Sequence, residues 1–329
     1  MKNFQLTRRH YLTATGAVLA SALARGANAQ KMAVIRQGFQ TNMWGMPTYY
    51  LMRSGLLEKR GIKFEEFAVP SGNLTMQQMV ARQVDLGTYA GPSLLIGHAR
   101  GGMAGVAVIE HVGKSIRIMG RKDLNLKKVE DLRGKKVANQ TGSSVGNIFV
   151  DQIAPKAGLK KGDFQEVRMN VNDMVAAMAA KTVDVMISTE PYNQIAEDEG
   201  IATTIVNYFD VDKLPVFMAA TPEFIEKEPA TLTAYLKTWL EVTDDFKKSP
   251  DKVAKVIHDF YTSKGYTMSL PTLTKALGTV EVNPEFPSDL GAYMEAHAKV
   301  LIAEKKIPAM PDWKKVIRPE FLEKARAMG

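Results

Sequence analysis

Three short segments carry side chains suited to holding a small molecule by donated hydrogen bonds. Thr141-Gly142-Ser143-Ser144 joins hydroxyls to a glycine just where a helix begins, and Ser71-Gly72-Asn73 and Gly91-Pro92-Ser93 repeat that composition. The first N–H groups of a helix have no partner within it and lie at the positive end of its dipole. Such a start holds an anionic head group without a cation. Ser71, Ser93 and Ser143 are equally the residue type that caps its own helix, and both roles stay open. Gln40, Thr41, Asn42 and Trp44 follow a strand-like run. Trp44 and Tyr89 would wall an organic ligand body, or Trp44 would pack under the next helix with Met43 and Met46. Glu190-Pro191-Tyr192 ends another strand-like run. Glu190 there would receive an ammonium or a ring N–H, or cap the helix that Pro191 opens. His111 is either a cleft residue or a loop histidine.

Other chemistries find little support. The chain has no cysteine, hence no disulfide, thiolate metal site or cysteine nucleophile. None of its five histidines share metal-ligand spacing. No nucleophile elbow, phosphate-binding loop or dinucleotide fingerprint occurs. Gly97-His98-Ala99-Arg100-Gly101-Gly102 follows a helix and reads as its C-cap. No cofactor, no metal and no catalysis are therefore expected. The lysines are scattered in pairs and form no nucleic-acid module.

The elements that must position these residues alternate. Strand-like runs at 32–38, 62–69, 84–90 and 105–109 are separated by helical segments, and a second series repeats the rhythm at 135–139, 165–169, 184–188 and 202–206. This alternation predicts an α/β protein with parallel-rich sheets covered by helices. After one more strand at Val216–Ala220 the chain reads as helical: 222–248, 251–261, 271–280, 287–305 and 319–328. The expected organisation is one lobe from residues 30–117 and 218–329, a second from 118–217, and a hinge at crossovers near Ile116–Gly120 and Lys213–Ala219. The tail is expected to pack on the first lobe.

Met1–Ala29 reads as an export signal. Lys2, Arg8 and Arg9 make a basic start, an apolar stretch runs from Leu12 to Ala24, and Ala27-Asn28-Ala29 offers a small-x-small cleavage site. Thr7-Arg8-Arg9-His10-Tyr11-Leu12 resembles the twin-arginine motif. The apolar stretch is too short to span a bilayer. The signal holds four of the basic residues behind the formal charge of +8, so residues 30–329 carry +4, a mild preference for anions at most. A periplasmic location is expected.

Several pieces in order carry a family likeness: Gly55-Leu56-Leu57-Glu58-Lys59-Arg60-Gly61-Ile62, Pro70-Ser71-Gly72, Val84-Asp85-Leu86-Gly87, Asp131-Leu132-Arg133-Gly134-Lys135-Lys136-Val137, Thr141-Gly142-Ser143-Ser144, Val183-Asp184-Val185 and Glu190-Pro191-Tyr192. In these the chain resembles the periplasmic substrate-binding proteins of ABC importers, in the branch of aliphatic sulfonate-, taurine- and nitrate-binding proteins. The resemblance implies a two-lobed type II binding-protein fold, two parallel-rich mixed sheets with the ligand cleft between lobes. It also implies a monomer that captures a small organic anion and delivers it to a membrane permease. From the residues and the resemblance together, the expected ligand contacts are Gln40, Thr41, Trp44, Ser71, Tyr89, Gly91, Ser93, His111, Thr141, Gly142, Ser143, Ser144, Glu190 and Tyr192. Two alternatives remain: a receptor for a pyrimidine, thiamine-precursor or zwitterionic solute, and a periplasmic sensor subunit. Thiamine-pyrimidine synthases share the fold but use pyridoxal phosphate and a cysteine-rich motif, which the export signal and the absent cysteines argue against.

Overall fold

The computed structural model describes residues 33–140, 143–266 and 268–328, so the segment expected to be an export signal, Thr141 and Gly142 lie outside the described residues. Two sheets organise the chain. The first contains β1 (Ala33–Gln40), β2 (Ile62–Val69), β3 (Leu86–Ala90), β4 (Ala104–His111), β10 (Pro215–Ala220) and β11 (Glu281–Glu285). The second contains β5 (Ile116–Arg121), β6 (Lys136–Asn139), β7 (Gln165–Arg168), β8 (Val185–Thr189) and β9 (Ala202–Asn207). Strand order is β11-β4-β10-β3-β1-β2 in one and β7-β6-β8-β5-β9 in the other.

These orders share a plan. In each sheet three parallel strands lie side by side with the earliest of the three in the middle, β1 between β2 and β3 and β6 between β7 and β8, followed by one antiparallel strand. That antiparallel strand is β10 in the first sheet and β5 in the second, each the first strand after the chain passes from the other sheet. The central strands are largely apolar and buried throughout, as with Leu86–Ala90 and Val185–Thr189, because helices cover both faces. Edge strand β2 is instead mostly exposed or half-buried, with only Ile62 fully buried.

The covering helices are α1 (Met46–Arg53), α2 (Gly72–Val80), α3 (Gly91–Gly101), α4 (Ser144–Ile148), α5 (Val171–Ala179), α6 (Tyr192–Asp198), α7 (Pro229–Lys248), α8 (Pro250–Ser263), α9 (Leu270–Leu277), α10 (Leu290–Ala303) and α11 (Glu320–Ala327). Met76, Met79, Tyr89, Leu94, Phe217 and Met294 form the core beneath α2, α3 and α10. Met119, Met174, Met178 and Met186 form the equivalent core under α5.

The tail departs from expectation in three places. The helix expected over 222–248 is interrupted at Glu228, because Pro229 disfavours helical backbone in the residue before it. The helix expected over 271–280 stops at Leu277, and Glu281–Glu285 adds β11 to the sheet edge. Its Pro284 hides that strand in the sequence, but an edge position tolerates a missing N–H. Most of the tail packs on the first sheet's helices, yet α9 lies against α6 of the second, where Thr272 Oγ1 donates to Asp198 at 2.6 Å.

The passages between sheets run side by side. Val112 N–H donates to the Leu214 carbonyl at 3.2 Å, and Gly113 N–H to that of Lys213 at 2.8 Å. A Cβ on Gly113 would lie 2.4 Å from the Asp212 carbonyl oxygen, so only glycine permits this approach. Residues 112–115 and 208–214 thus join the two halves, immediately before β5 and β10.

Candidate functional site

A cleft opens where the carboxyl ends of the parallel strands of both sheets face each other, which is where open α/β sheets place ligands. From the first sheet it is lined by Asn42 and Trp44 after β1, Ser71, Gly72 and Asn73 after β2, and Ala90 at the end of β3. From the second come Gln140, Ser143, Ser144, Val145, Val171 and Thr189. This inner chamber has a volume of only about 20 Å³, room for about one water-sized group. Ser71, Asn73, Gln140 and Ser143 also line a wider outer chamber of about 540 Å³, with Leu74, Gln77, Arg168, Met169 and Asn170.

Local geometry explains why these residues converge. Gly45 lets the turn after β1 fold against Gln40, since a Cβ there would meet the Gln40 carbonyl oxygen at 1.8 Å. Gly146 does the same for the second half, where a Cβ would lie 2.5 Å from the Gln140 carbonyl oxygen. Ser71 and Ser143 cap α2 and α4, their Oγ atoms accepting from Leu74 N at 3.4 Å and Gly146 N at 3.1 Å. Capping occupies the oxygen as an acceptor and leaves each hydroxyl hydrogen able to donate. The two roles weighed from sequence are therefore compatible in one side chain. Asn42 Oδ1 accepts from Trp44 N. Its amide nitrogen, and the side chains of Asn73 and Gln140, have no partner among the described residues and are free to donate.

The halves already touch. The Trp44 indole N–H donates to Thr189 Oγ1 at 2.9 Å and to Ser115 Oγ at 3.2 Å. Met43 N–H donates to the Glu190 carbonyl at 2.9 Å, and Ser93 Oγ lies 3.5 Å from Ser144 Oγ. The small inner chamber is thus that of a closed cleft.

Several expected contacts lie elsewhere. Tyr89 is a correction: its ring is fully buried in the core under α2 and α3, because alternation along β3 turns it to the face opposite Thr88 and Ala90, and burial raises its hydroxyl pKa. Gln40 is buried and spent on Thr75 and on both the carbonyl and hydroxyl of Thr88. Thr41 contributes backbone, donating to the Val69 carbonyl and accepting from the Tyr261 hydroxyl. Gly91 meets the tail, for a Cβ there would touch Met294 and Tyr293. Tyr192 is buried with its hydroxyl 3.5 Å from that of Tyr266. His111 lines a separate cavity of about 260 Å³ with Gln152, Asp212, Lys213 and Tyr293, and burial lowers its pKa.

Glu190 is withdrawn from the cleft. It is fully buried, sits 2.7 Å from Arg117 Nη2 and accepts from Gln194 N at 3.0 Å, so it caps α6. Burial raises its pKa to about 7 against the opposing pull of Arg117 and that N–H. Among the described residues, no carboxylate lines either chamber. Arg168 is the residue sequence reading missed. It ends β7 on a polar edge strand and, among the described residues, has no ion-pair partner. Nothing local marks it, because its position depends on β7 pairing with β6.

Comparison with known proteins agrees with this architecture. A protein of Brucella abortus (strain 2308) named as a binding protein is 27% identical over 218 residues, covering 65% of this chain. The chain matches 66% of that relative's length. A protein of Escherichia coli K12 named as an aliphatic sulfonates-binding protein is 29% identical over 236 residues, 70% of this chain and 72% of the relative. Among solved structures, the alkanesulfonate-binding protein SsuA of Xanthomonas axonopodis pv. citri, bound to MOPS, superposes with a TM-score of 0.73 at 20% identity, covering 90% of this chain and 99% of that one. The desulfurization enzyme DszB also shares the fold, at a TM-score of 0.67 and 13% identity over 90% of this chain and 99% of that one. Among the described residues no helix is long and apolar enough to cross a membrane. The model of one family, described as NMT1/THI5 like, matches residues 42–253, and the chain belongs to that family.

Proposed function

We propose that this protein is the solute-binding component of an ABC importer, which captures a small organic anion in the cleft and delivers it to a membrane permease from the periplasm. The observation that carries the reading is the inner chamber's composition. Hydroxyl and amide donors from both halves converge on it, and no described lining residue is a carboxylate. Uncharged donors at helix starts stabilise an anion and leave a cation without a counter-charge. The names of the relatives, which refer to sulfonates and to binding proteins, support the same ligand class. With Glu190 paired to Arg117 outside the cleft, the argument for a zwitterion or heterocycle loses its acidic partner.

Binding without turnover is the activity we assign. The shared fold with a desulfurization enzyme supplies the competing reading, but this chain has no cysteine to act as nucleophile and its described histidines line neither chamber. The two halves, joined by residues 112–115 and 208–214, act as the lobes that close on the ligand.

Isothermal titration against propane-1-sulfonate, taurine, nitrate, benzoate and a pyrimidine tests this. Saturable one-site binding of a sulfonate or carboxylate, with the ligand recovered intact, is the expected result. Conversion of the ligand, or binding confined to the pyrimidine, would overturn the assignment.

A further inference from the structure

Resting on the anion-binding reading, we infer that the preferred ligand is a bifunctional organic acid whose second acidic group is read by Arg168. Four observations carry this. The inner chamber, at about 20 Å³, admits only a small head group. The outer chamber, at about 540 Å³, lies in the range of small-molecule sites. Ser71, Asn73, Gln140 and Ser143 belong to both chambers, so a head bound to their donors leaves its body in the outer one. There the wall offers Leu74 and Met169 beside Arg168.

Arg168 differs in kind from the other arginines near the second sheet. Arg117 is held by Glu190 and Glu197, Arg121 by Asp123 and Asp184, and Arg133 by Asp163. Arg168 has no carboxylate partner among the described residues, and Asn139, not Arg168, donates to the nearby Glu166. A guanidinium left unpaired at the rim of a chamber free of described carboxylates presents a planar fork matched to a carboxylate or a second sulfonate. The short apolar wall fits a chain of a few methylenes between the two acidic ends. The specificity is thus divided: uncharged donors take the head, and a charge at the mouth selects for length and a second anion.

Matched pairs test it: 3-sulfopropanoate against propane-1-sulfonate, and 4-sulfobutanoate against butane-1-sulfonate, titrated into the purified protein at low salt. The bifunctional member of at least one pair should bind about fivefold tighter, as expected for one exposed charge contact, and added salt should shrink the difference. Arg168→Gln should erase the preference while leaving the monofunctional sulfonate's affinity within about twofold. Arg168→Lys should retain part of it. Equal affinities within both pairs, or a preference that survives in Arg168→Gln, would overturn the inference while leaving the anion-binding reading standing. Failure of every sulfonate to bind would overturn both. An unchanged melting temperature for Arg168→Gln shows that any loss comes from the contact and not from the fold.

Discussion

Trp44→Phe tests whether the closed cleft is held by the contact that the structure identifies. The indole N–H of Trp44 crosses from one half to the other and reaches Thr189 Oγ1 at 2.9 Å and Ser115 Oγ at 3.2 Å. Phenylalanine keeps a buried aromatic ring but removes the donor together with part of the indole. The acceptors are not stranded, because Ser115 Oγ still donates to the Val112 carbonyl at 2.7 Å and lies 3.3 Å from Thr189 Oγ1. The hydrogen-bond part of the loss is therefore that of one intramolecular bond, about 1 kcal/mol net. Opening wets the indole, so this energy weighs on the closed state relative to the open one. A change of about 1 kcal/mol shifts that equilibrium about fivefold, and the affinity for propane-1-sulfonate should fall by the same factor, mostly through faster dissociation. Isothermal titration gives the affinity, and small-angle scattering of the unliganded protein should show a larger radius of gyration. A double-mutant cycle with Thr189→Val separates the hydrogen bond from the change in ring size and should return a coupling of about 1 kcal/mol. A coupling below about 0.3 kcal/mol, with scattering unchanged, would show that closure rests on other contacts.

Two further substitutions separate folding from binding. Ser143 caps α4 and lines the chamber, so Ser143→Ala should cost about 1 kcal/mol of stability as well as affinity. Among the described residues the Ser144 hydroxyl has only that of Ser93 within reach, at 3.5 Å; Ser144→Ala should weaken ligand binding with the unliganded denaturation midpoint nearly unchanged. Glu110 is fully buried on β4 with neither carboxyl oxygen hydrogen-bonded among the described residues, and burial holds its pKa well above 4.5. The folded chain therefore keeps a proton that the unfolded chain releases above about pH 4.5. Stability from this group is full below that pH and is lost as pH rises, by up to about 1.4 kcal/mol per unit. Denaturant titrations should find Glu110→Gln gaining on the native protein between pH 5 and 7, and parallel pH profiles for the two would refute the linkage.

Much of the fold is legible in local pattern. Leu86–Ala90 and Val185–Thr189 read as buried strands because helices cover both sheet faces, and a continuous apolar run is what that burial requires. The segments 71–73 and 143–144 announce helix starts because capping chemistry is carried by the residues themselves. Proline at position 284 conceals β11, whose pairing with β4 is contributed by a partner strand distant in sequence. The doubled sheet order leaves no sequence repeat, since strand order depends on which edges meet and not on residue identity.

The site divides along the same line. Sequence alone specified which residues can donate hydrogen bonds and where glycine lets the chain approach itself closely, because those are properties of single residues and their neighbours. Which of them share a chamber depended on the packing of the two sheets. Tyr89 and Ala90 are adjacent, yet the pleat sends the ring of one into the core and the other into the cleft. Glu190 was drawn away by Arg117, a residue 73 positions earlier that β5 carries alongside β8. Arg168 acquired meaning only when β7 placed it at the mouth, since an unpaired charge is defined by everything around it.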